Sequence, residues 1–168
     1  MQTVVIKEKD IRDAAAQGLS EFVDVVVGAI NGAIGGSLTS ETMAELNSDQ
    51  ITLLAYDIMR KELMEGGFVQ LIYNGYGPFI FKNPFARALK EWGLLDLGKL
   101  VQKAHKCYGK YHETIESAAT DEEFMALYEK CPELDEFDDE FVDNEDTFTS
   151  QIAYYVDGHI QNFVTVEQ

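Results

Sequence analysis

The chain has only two cysteines among its 168 residues, and it has no apolar run long enough to cross a bilayer. Cys107 and Cys131 are too few for a disulfide framework and lack metal-ligand spacing, so we expect two reduced thiols and no metal. The longest apolar stretch, residues 22–38, contains Asp24 and Asn31 and falls short of the roughly 20 residues that a span needs. No signal-peptide order of charged and then apolar residues is present. We therefore expect a cytoplasmic protein without a membrane segment.

Basic residues are scarce in the last third of the chain. Residues 113–168 contain seventeen acidic side chains and one base, Lys130, whereas residues 1–112 contain thirteen acids and twelve bases. Thirteen of the acids lie within residues 121–146, so most of the net charge of -17 is concentrated in one patch. This charge repels nucleic acids and anionic lipids, so we expect neither of them as a direct partner.

The density of acids in this patch is comparable to that of phosphates on DNA. As one continuous helix, residues 121–146 would span roughly 39 Å at about 1.5 Å per residue, which gives roughly one carboxylate per 3 Å. One DNA strand carries a phosphate about every 3.4 Å. A protein with a basic, DNA-binding face is therefore a candidate partner.

Apolar positions at helical spacing predict helices along most of the chain. Residues 22–33 fit a helix, followed by a flexible link over residues 35–39. Asn47 or Ser48 is expected to cap a second helix that stops at Gly66 and Gly67. Asn83 and Pro84 predict the start of a short helix over residues 84–92.

The second half of the chain predicts four more helices. Asp96 precedes a long helix whose solvent-facing side is basic, with Lys99, Lys103, Lys106 and Lys110. Thr120 and Glu123 form a capping-box pattern at the start of an acidic amphipathic helix, which Pro132 ends. A second acidic helix is built on Leu134, Phe137 and Phe141. A last helix covers residues 149–156 and ends near Gly158. We predict an all-α, compact, single-domain multi-helix bundle over residues 1–168, with residues 1–40 as an N-terminal helical extension and with an acidic C-terminal helical face.

Motifs that carry catalytic or metal chemistry are not found. The oxygen donors that begin at Asp135 fail the calcium-loop pattern, which needs a glycine at position six and a glutamate at position twelve. His105, Cys107 and His112 lack the spacing of a metal pair on a helix. A run of solvated carboxylates gives no sign of the separated pKa values that a hydrolase needs. We expect no enzyme activity and no cofactor.

The most distinctive local pattern is the decapeptide GGFVQLIYNG at residues 66–75. Gln70 and Asn74 are four residues apart, so on a helix they share hydrogen bonds while Phe68, Leu71 and Ile72 fill the core. The alternative is a small-molecule or enzymatic site, whose pocket would be lined by Gln70, Tyr73, Asn74 and Tyr76.

This decapeptide, together with the segment FDDEF at residues 137–141, resembles the bacterial DNA-mimic-protein family over residues 45–146. The resemblance implies an all-helical domain, a homodimer, and an acidic face that is arranged like the phosphates of a duplex. It also implies that this face occupies the DNA-binding surface of a transcriptional regulator.

The leading hypothesis is a non-enzymatic protein that blocks the basic face of a DNA-binding protein by competitive occlusion. Its partner-binding carboxylates are Glu133, Asp135, Glu136, Asp138, Asp139, Glu140, Asp143, Glu145 and Asp146. The alternative is that these acids merely solvate one face, or that they pair with the basic residues 82–110 within the chain or across a dimer.

Overall fold

The computed structural model describes residues 3–168 and confirms the predicted all-α fold. Within these residues, nine α-helices are accompanied by a short 3-10 helix, Ile160–Asn162, and by two three-residue strands. In chain order the elements are β1 Val5–Lys7, α1 Glu8–Gln17, α2 Leu19–Ala33, α3 Ser40–Met43, α4 Ser48–Tyr73, α5 Gly77–Phe81, α6 Phe85–Glu91, α7 Leu95–Glu116, α8 Asp121–Lys130, α9 Pro132–Gly158 and, after the 3-10 helix, β2 Thr165–Glu167.

One compact unit combines the described residues up to Leu54 with Asp146–Gln168. Its helix α2 buries an apolar stripe that includes Val23, Val26 and Ile30, each 0% exposed. Strands β1 and β2 pair in parallel, with Val5 opposite Thr165. The side chains of Asn47 and Gln50 donate hydrogen bonds to backbone oxygens of residues 162 and 163, which ties the start of α4 to the 3-10 helix.

The other compact unit, Ala55–Glu145, contains α5 to α8 with the adjoining parts of α4 and α9. Its core is apolar and aromatic, and the members with no solvent exposure include Tyr56, Phe68, Leu89, Leu100 and Phe141. The predicted basic side of α7 is confirmed, because its four lysines are exposed while Leu100 and neighbouring apolar residues are buried.

Several predicted helix boundaries are confirmed by their capping contacts. The Gln50 amide donates to Asn47 Oδ1 at 2.8 Å, and the Asn47 amide donates to Gln50 Oε1 at 3.0 Å. The Glu123 amide donates to Thr120 Oγ1 at 3.1 Å, as the capping-box pattern predicted. Gly67 interrupts the helical backbone of α4 at the predicted stop.

Other expectations about secondary structure were wrong. The second acidic helix and the predicted helix over residues 149–156 are one continuous helix, α9, because no proline or left-handed residue separates them. Residues 5–7, which lie within the predicted N-terminal helical extension, form a strand and not a helix. Pro84 precedes α6 as its N-cap, and the Asn83 side chain donates to the Phe79 carbonyl instead of capping that helix.

Candidate functional site

All nine of the predicted partner-binding carboxylates lie on α9, where they differ in exposure. Five are exposed, namely Asp135, Glu136, Asp139, Asp143 and Asp146. The other four are only partly exposed, namely Glu133, Asp138, Glu140 and Glu145. This division separates acids that face solvent from acids that the fold itself uses.

Four of the exposed acids form what we call the acidic strip: Asp135, Glu136, Asp139 and Asp143. Asp135, Asp139 and Asp143 are four residues apart, so they lie along one side of α9 and rise by about 6 Å per step. The side chains of these four residues form no hydrogen bond or ion pair within residues 3–168. Asp146 is also exposed but belongs to the other compact unit, so we leave it out of the strip.

Two of the partly exposed acids contact the basic helix α7. The Tyr111 hydroxyl donates to Glu133 Oε1 at 2.7 Å, and Lys110 Nζ lies 3.2 Å from Glu133 Oε2. The hydrogen bond from Tyr111, followed by the hydrogen bond and the charge of Lys110, holds the pKa of Glu133 below its ordinary value. Glu140 lies 3.8 Å from Lys103. The predicted pairing of acids with the basic helix is therefore present, but for these two acids and not for the strip.

Glu145 takes part in a largely buried group of charges. Its carboxylate lies 3.8 Å from Arg60 Nη1, and Arg60 Nη2 lies 3.6 Å from Asp57 Oδ1. The side chains of Arg60 and Asp57 are 9% and 5% exposed. A guanidinium this deeply buried needs carboxylate partners, so Glu145 contributes to the stability of this unit.

Asp138 faces the protein interior. Its Oδ1 accepts a hydrogen bond of 2.8 Å from the backbone N–H of Phe68, which is the residue after the break in α4. Burial raises the pKa of Asp138 to about 7, the Phe68 amide opposes the shift, and the charges of Asp135 and Asp139 add to it. Asp138 thus occupies a place within the fold, unlike the residues of the acidic strip.

The break in α4 is centred on Gly67. This residue has φ +76° and ψ -171°, a region that is essentially restricted to glycine. A β-carbon at Gly67 would collide with Asp138 Oδ2, so the position has no room for a side chain. The preceding residue, Gly66, accepts a hydrogen bond of 2.8 Å on its carbonyl from the Tyr128 hydroxyl. We refer to Gly66, Gly67 and Phe68, with the two side chains that hold them, as the kink clamp.

The decapeptide supplies internal contacts as its structural interpretation predicted. Phe68, Leu71 and Ile72 are 0% exposed, which confirms that they fill the core. The amides of Gln70 and Asn74 do not bond to each other but both donate to Glu62 Oε2, at 2.8 Å and 3.0 Å.

The two tyrosines of the predicted pocket differ in their surroundings. Tyr73 is 39% exposed, with its ring centroid 4.7 Å from that of Phe124, and Tyr76 is partly exposed. A ligand pocket lined by Gln70, Tyr73, Asn74 and Tyr76 stays a prediction.

Sequence reasoning missed the inward direction of Asp138 and Glu145, although a signal was present. Asp138 lies four residues after Leu134 and three before Phe141, and Glu145 bears the same relation to Phe141 and Phe148. Both acids are therefore in register with the apolar seam of α9 and not with its polar side. Their partners, the Phe68 amide and Arg60, come from α4 and carry no such signal in the sequence.

Residues 3–168 hold neither a metal-binding cluster nor a membrane-spanning helix. In this part of the chain, no three His, Cys, Asp or Glu side chains come together as a metal site. No described helix is both long enough and apolar enough to cross a membrane. Cys107 and Cys131 are both buried as free thiols, as expected.

Comparison with known proteins connects this geometry to a family. A family model described as DMP19-like protein matches residues 44–159, a range that contains both the acidic strip and the kink clamp. The chain is also 32% identical over 129 residues to the DNA mimic protein DMP19 of Neisseria meningitidis serogroup B. That alignment covers 76% of this chain and 78% of the relative. The chain belongs to the family of DMP19-like proteins.

Proposed function

We propose that this protein is a non-enzymatic DNA mimic that occludes the basic surface of a DNA-binding protein, such as a transcription regulator. The observation that carries the proposal is the acidic strip, whose four exposed carboxylates have no partner within residues 3–168. The name of the Neisseria relative, a DNA mimic protein, supports the same function.

The spacing of the strip suits a surface that normally binds phosphates. Asp135, Asp139 and Asp143 rise by about 6 Å per step along α9, which is close to two phosphate intervals of about 3.4 Å on one DNA strand. Lysine and arginine side chains that contact every second phosphate can reach these carboxylates with little rearrangement. Several such weak contacts add up, and both surfaces release counterions, so binding weakens steeply with salt.

The remaining predicted acids have a different part in this proposal. Glu133, Glu140 and Glu145 are engaged with Lys110, Lys103 and Arg60, and so add less to the field that a partner meets. Asp146 is exposed and stays a proposed contact for the partner. We further propose that the protein acts in the cytoplasm, as a homodimer and as a single domain.

The experiment that tests the proposal is affinity capture from the host lysate at low salt, with parallel elution by duplex DNA and by salt. The test variant carries Asp135→Asn, Asp139→Asn and Asp143→Asn. The control variant removes the same charge from exposed acids outside the strip, with Asp10→Asn, Glu41→Gln and Glu45→Gln. The wild type and the control should hold a DNA-binding protein that duplex DNA displaces, and the strip variant should not.

A second function, that of an acidic structural domain without mimicry, is favoured by the contacts of Glu133 and Glu140 with α7. If such pairs dominate, stability falls as salt screens them. If the unpaired strip dominates, its self-repulsion is screened and stability rises. Urea unfolding at about 0.05 M and 0.5 M NaCl distinguishes the two functions, and the proposed mimic should be the more stable at high salt.

A further inference from the structure

The kink clamp is one of the contacts between the acidic helix α9 and α4. Tyr128 of α8 donates to the carbonyl before Gly67, and Asp138 of α9 accepts from the amide after it. These two hydrogen bonds are made to backbone atoms on either side of Gly67, where the backbone of α4 leaves the helical conformation. The clamp therefore depends on one side chain from each of the two acidic helices.

We propose that Asp138 is a positioning residue that holds the acidic strip in place through the kink clamp and loosens its hold when it loses a proton. The inference rests on the proposed function, because it concerns the presentation of the strip to a partner. It assigns Asp138 a role unlike that of its neighbours Asp135 and Asp139, which face solvent.

The position of Asp138 on α9 makes it suited to this role. Asp139 follows it directly and Asp135 precedes it by less than one helical turn. Any movement of α9 away from Phe68 at this point also moves those two carboxylates. Because Gly67 has no space for a β-carbon, Asp138 contacts the kink closely and has little freedom to shift while the clamp is closed.

The charged and titratable groups around Asp138 do not compensate a negative charge. From α9 the charges of Asp135 and Asp139 act on it, and both are acids. From α8 the neighbouring group is the Tyr128 phenol, whose pKa is raised by burial and by the charges of Asp138 and Asp135. From α4 the facing group is the neutral amide of Phe68. Burial, to which the charges of these two acids add, therefore raises the pKa of the Asp138 carboxyl to about 7 while the clamp is closed.

Opening of the clamp hydrates Asp138 and returns its pKa to the ordinary range near 4. A closed state that binds a proton more tightly than the open state loses stability as pH rises between these two values. Local opening is therefore rare near pH 5 and becomes more frequent up to about pH 7, above which it levels off. Exposed carboxylates ordinarily have pKa values near 4. Acids that only mimic phosphates therefore cause no comparable change in local opening between pH 5 and 7.

The test is hydrogen exchange of the Phe68 amide between pH 5 and 8, corrected for intrinsic exchange and referred to the buried Leu100 amide in α7. In the wild type, the protection factor of the Phe68 amide against hydrogen exchange should fall at least fivefold from pH 5 to pH 7 and then level off. In Asp138→Asn it should stay constant, because the asparagine oxygen still accepts from Phe68 but cannot ionise. If Phe68 and Leu100 of the wild type change in parallel, or if both proteins show the same fall, the inference is overturned.

One further variant keeps the test interpretable. Tyr128→Phe removes the other hydrogen bond of the clamp without changing charge, so it should lower the protection of Phe68 at every pH while the dependence on pH remains. Loss of that dependence in Tyr128→Phe contradicts the assignment to Asp138. These measurements need no partner, so their failure leaves the proposed function intact.

The partner-binding arm uses the DNA-binding protein recovered by capture as its probe. Asp138→Asn should associate with it at pH 7.5 at least as fast as the wild type does, whereas Asp139→Asn should be slower by severalfold. If both variants are slowed equally, Asp138 acts as a phosphate mimic and is not a positioning residue. If neither Asp139→Asn nor the strip variant is slowed, the proposed function fails independently of the clamp.

Discussion

The guanidinium of Arg60 lies 3.8 Å from the carboxylate of Glu145, which joins α4 to α9 through a charge pair that is mostly shielded from water. Asp57 lies on the other side of the same guanidinium, at 3.6 Å. Glu145, which the sequence analysis predicts to be a partner-binding residue, thus lies beside the buried Arg60. This arrangement predicts that the acids of α9 differ in what they contribute when they are neutralised one at a time.

Replacement of Glu145 by glutamine should lower the free energy of unfolding by about 2 kcal/mol, because Arg60 then loses one of its carboxylate partners inside the protein. Partner capture should change little. The matched control is Asp143→Asn, which removes the same charge from the exposed strip and should change stability by less than about 0.5 kcal/mol. Urea unfolding of both variants measures the difference. Equal stability losses would contradict the separation of α9 into structural and strip acids.

Gly67→Ala should destabilise the protein by more than about 2 kcal/mol, since a β-carbon both strains the backbone at φ +76° and collides with Asp138. Gly109→Ala is the control, because Gly109 is an exposed helical residue of α7 with open space around its added β-carbon. That substitution should stabilise the protein by roughly 0.5 to 1 kcal/mol. Thermal unfolding checks both, and a neutral Gly67→Ala would show that the kink is not tightly held.

The stability difference between the wild type and Asp138→Asn should depend on pH. The pKa of Asp138 is raised in the folded protein to about 7 from an ordinary 3.8, so its contribution is fully present below pH 4 and is lost as pH rises to 7. At about 1.4 kcal/mol per pKa unit, the whole change is roughly 4 kcal/mol. Urea unfolding of the two proteins at pH 4.5 and 7.5 measures most of this change, and a constant difference would be incompatible with the buried, neutral carboxyl.

Tyr111→Phe should raise the pKa of Glu133 toward its ordinary value, because the hydrogen bond from the phenol is the main cause of the lowered pKa. Lys110 remains close to Glu133 and retains part of the shift. The carboxyl carbon resonance of Glu133, followed by NMR between pH 2.5 and 6, reports the change. Tyr154→Phe, at an exposed tyrosine, should leave this titration unmoved. The same outcome in both variants would rule out Tyr111 as the cause.

The local elements of this fold that could be predicted from the sequence are those defined by neighbours along the chain. Asn47 with Gln50 and Thr120 with Glu123 mark helix starts because their contacts span three residues. The parallel pairing of β1 with β2 could not be predicted, since Val5 and Thr165 are 160 residues apart and each strand is too short to show a period of two. That the whole chain is a single domain stays a prediction.

The sequence predicts that the site is acidic, but it does not predict which of the acids contact other parts of the fold. The sequence indicates that α9 is acidic, and helical register separates Asp135 and Asp139 from the seam on which Asp138 and Glu145 lie. Which acid meets Phe68, Arg60 or a lysine depends on how α4 and α7 pack against α9. Side chains brought together from distant parts of the chain leave no spacing pattern, so those contacts became visible only in the folded structure.

The measurement that tests the central claim most directly is competition for a DNA-binding partner. The DNA-binding protein recovered by capture is first bound to a fluorescent duplex, and the release of the duplex is followed by anisotropy as this protein is added at low salt. The wild type and the Asp10, Glu41, Glu45 control should release the duplex, and the variant neutralised at Asp135, Asp139 and Asp143 should need at least tenfold more protein. Equal release by all three proteins, or a stable complex that retains the duplex, would contradict mimicry by the acidic strip.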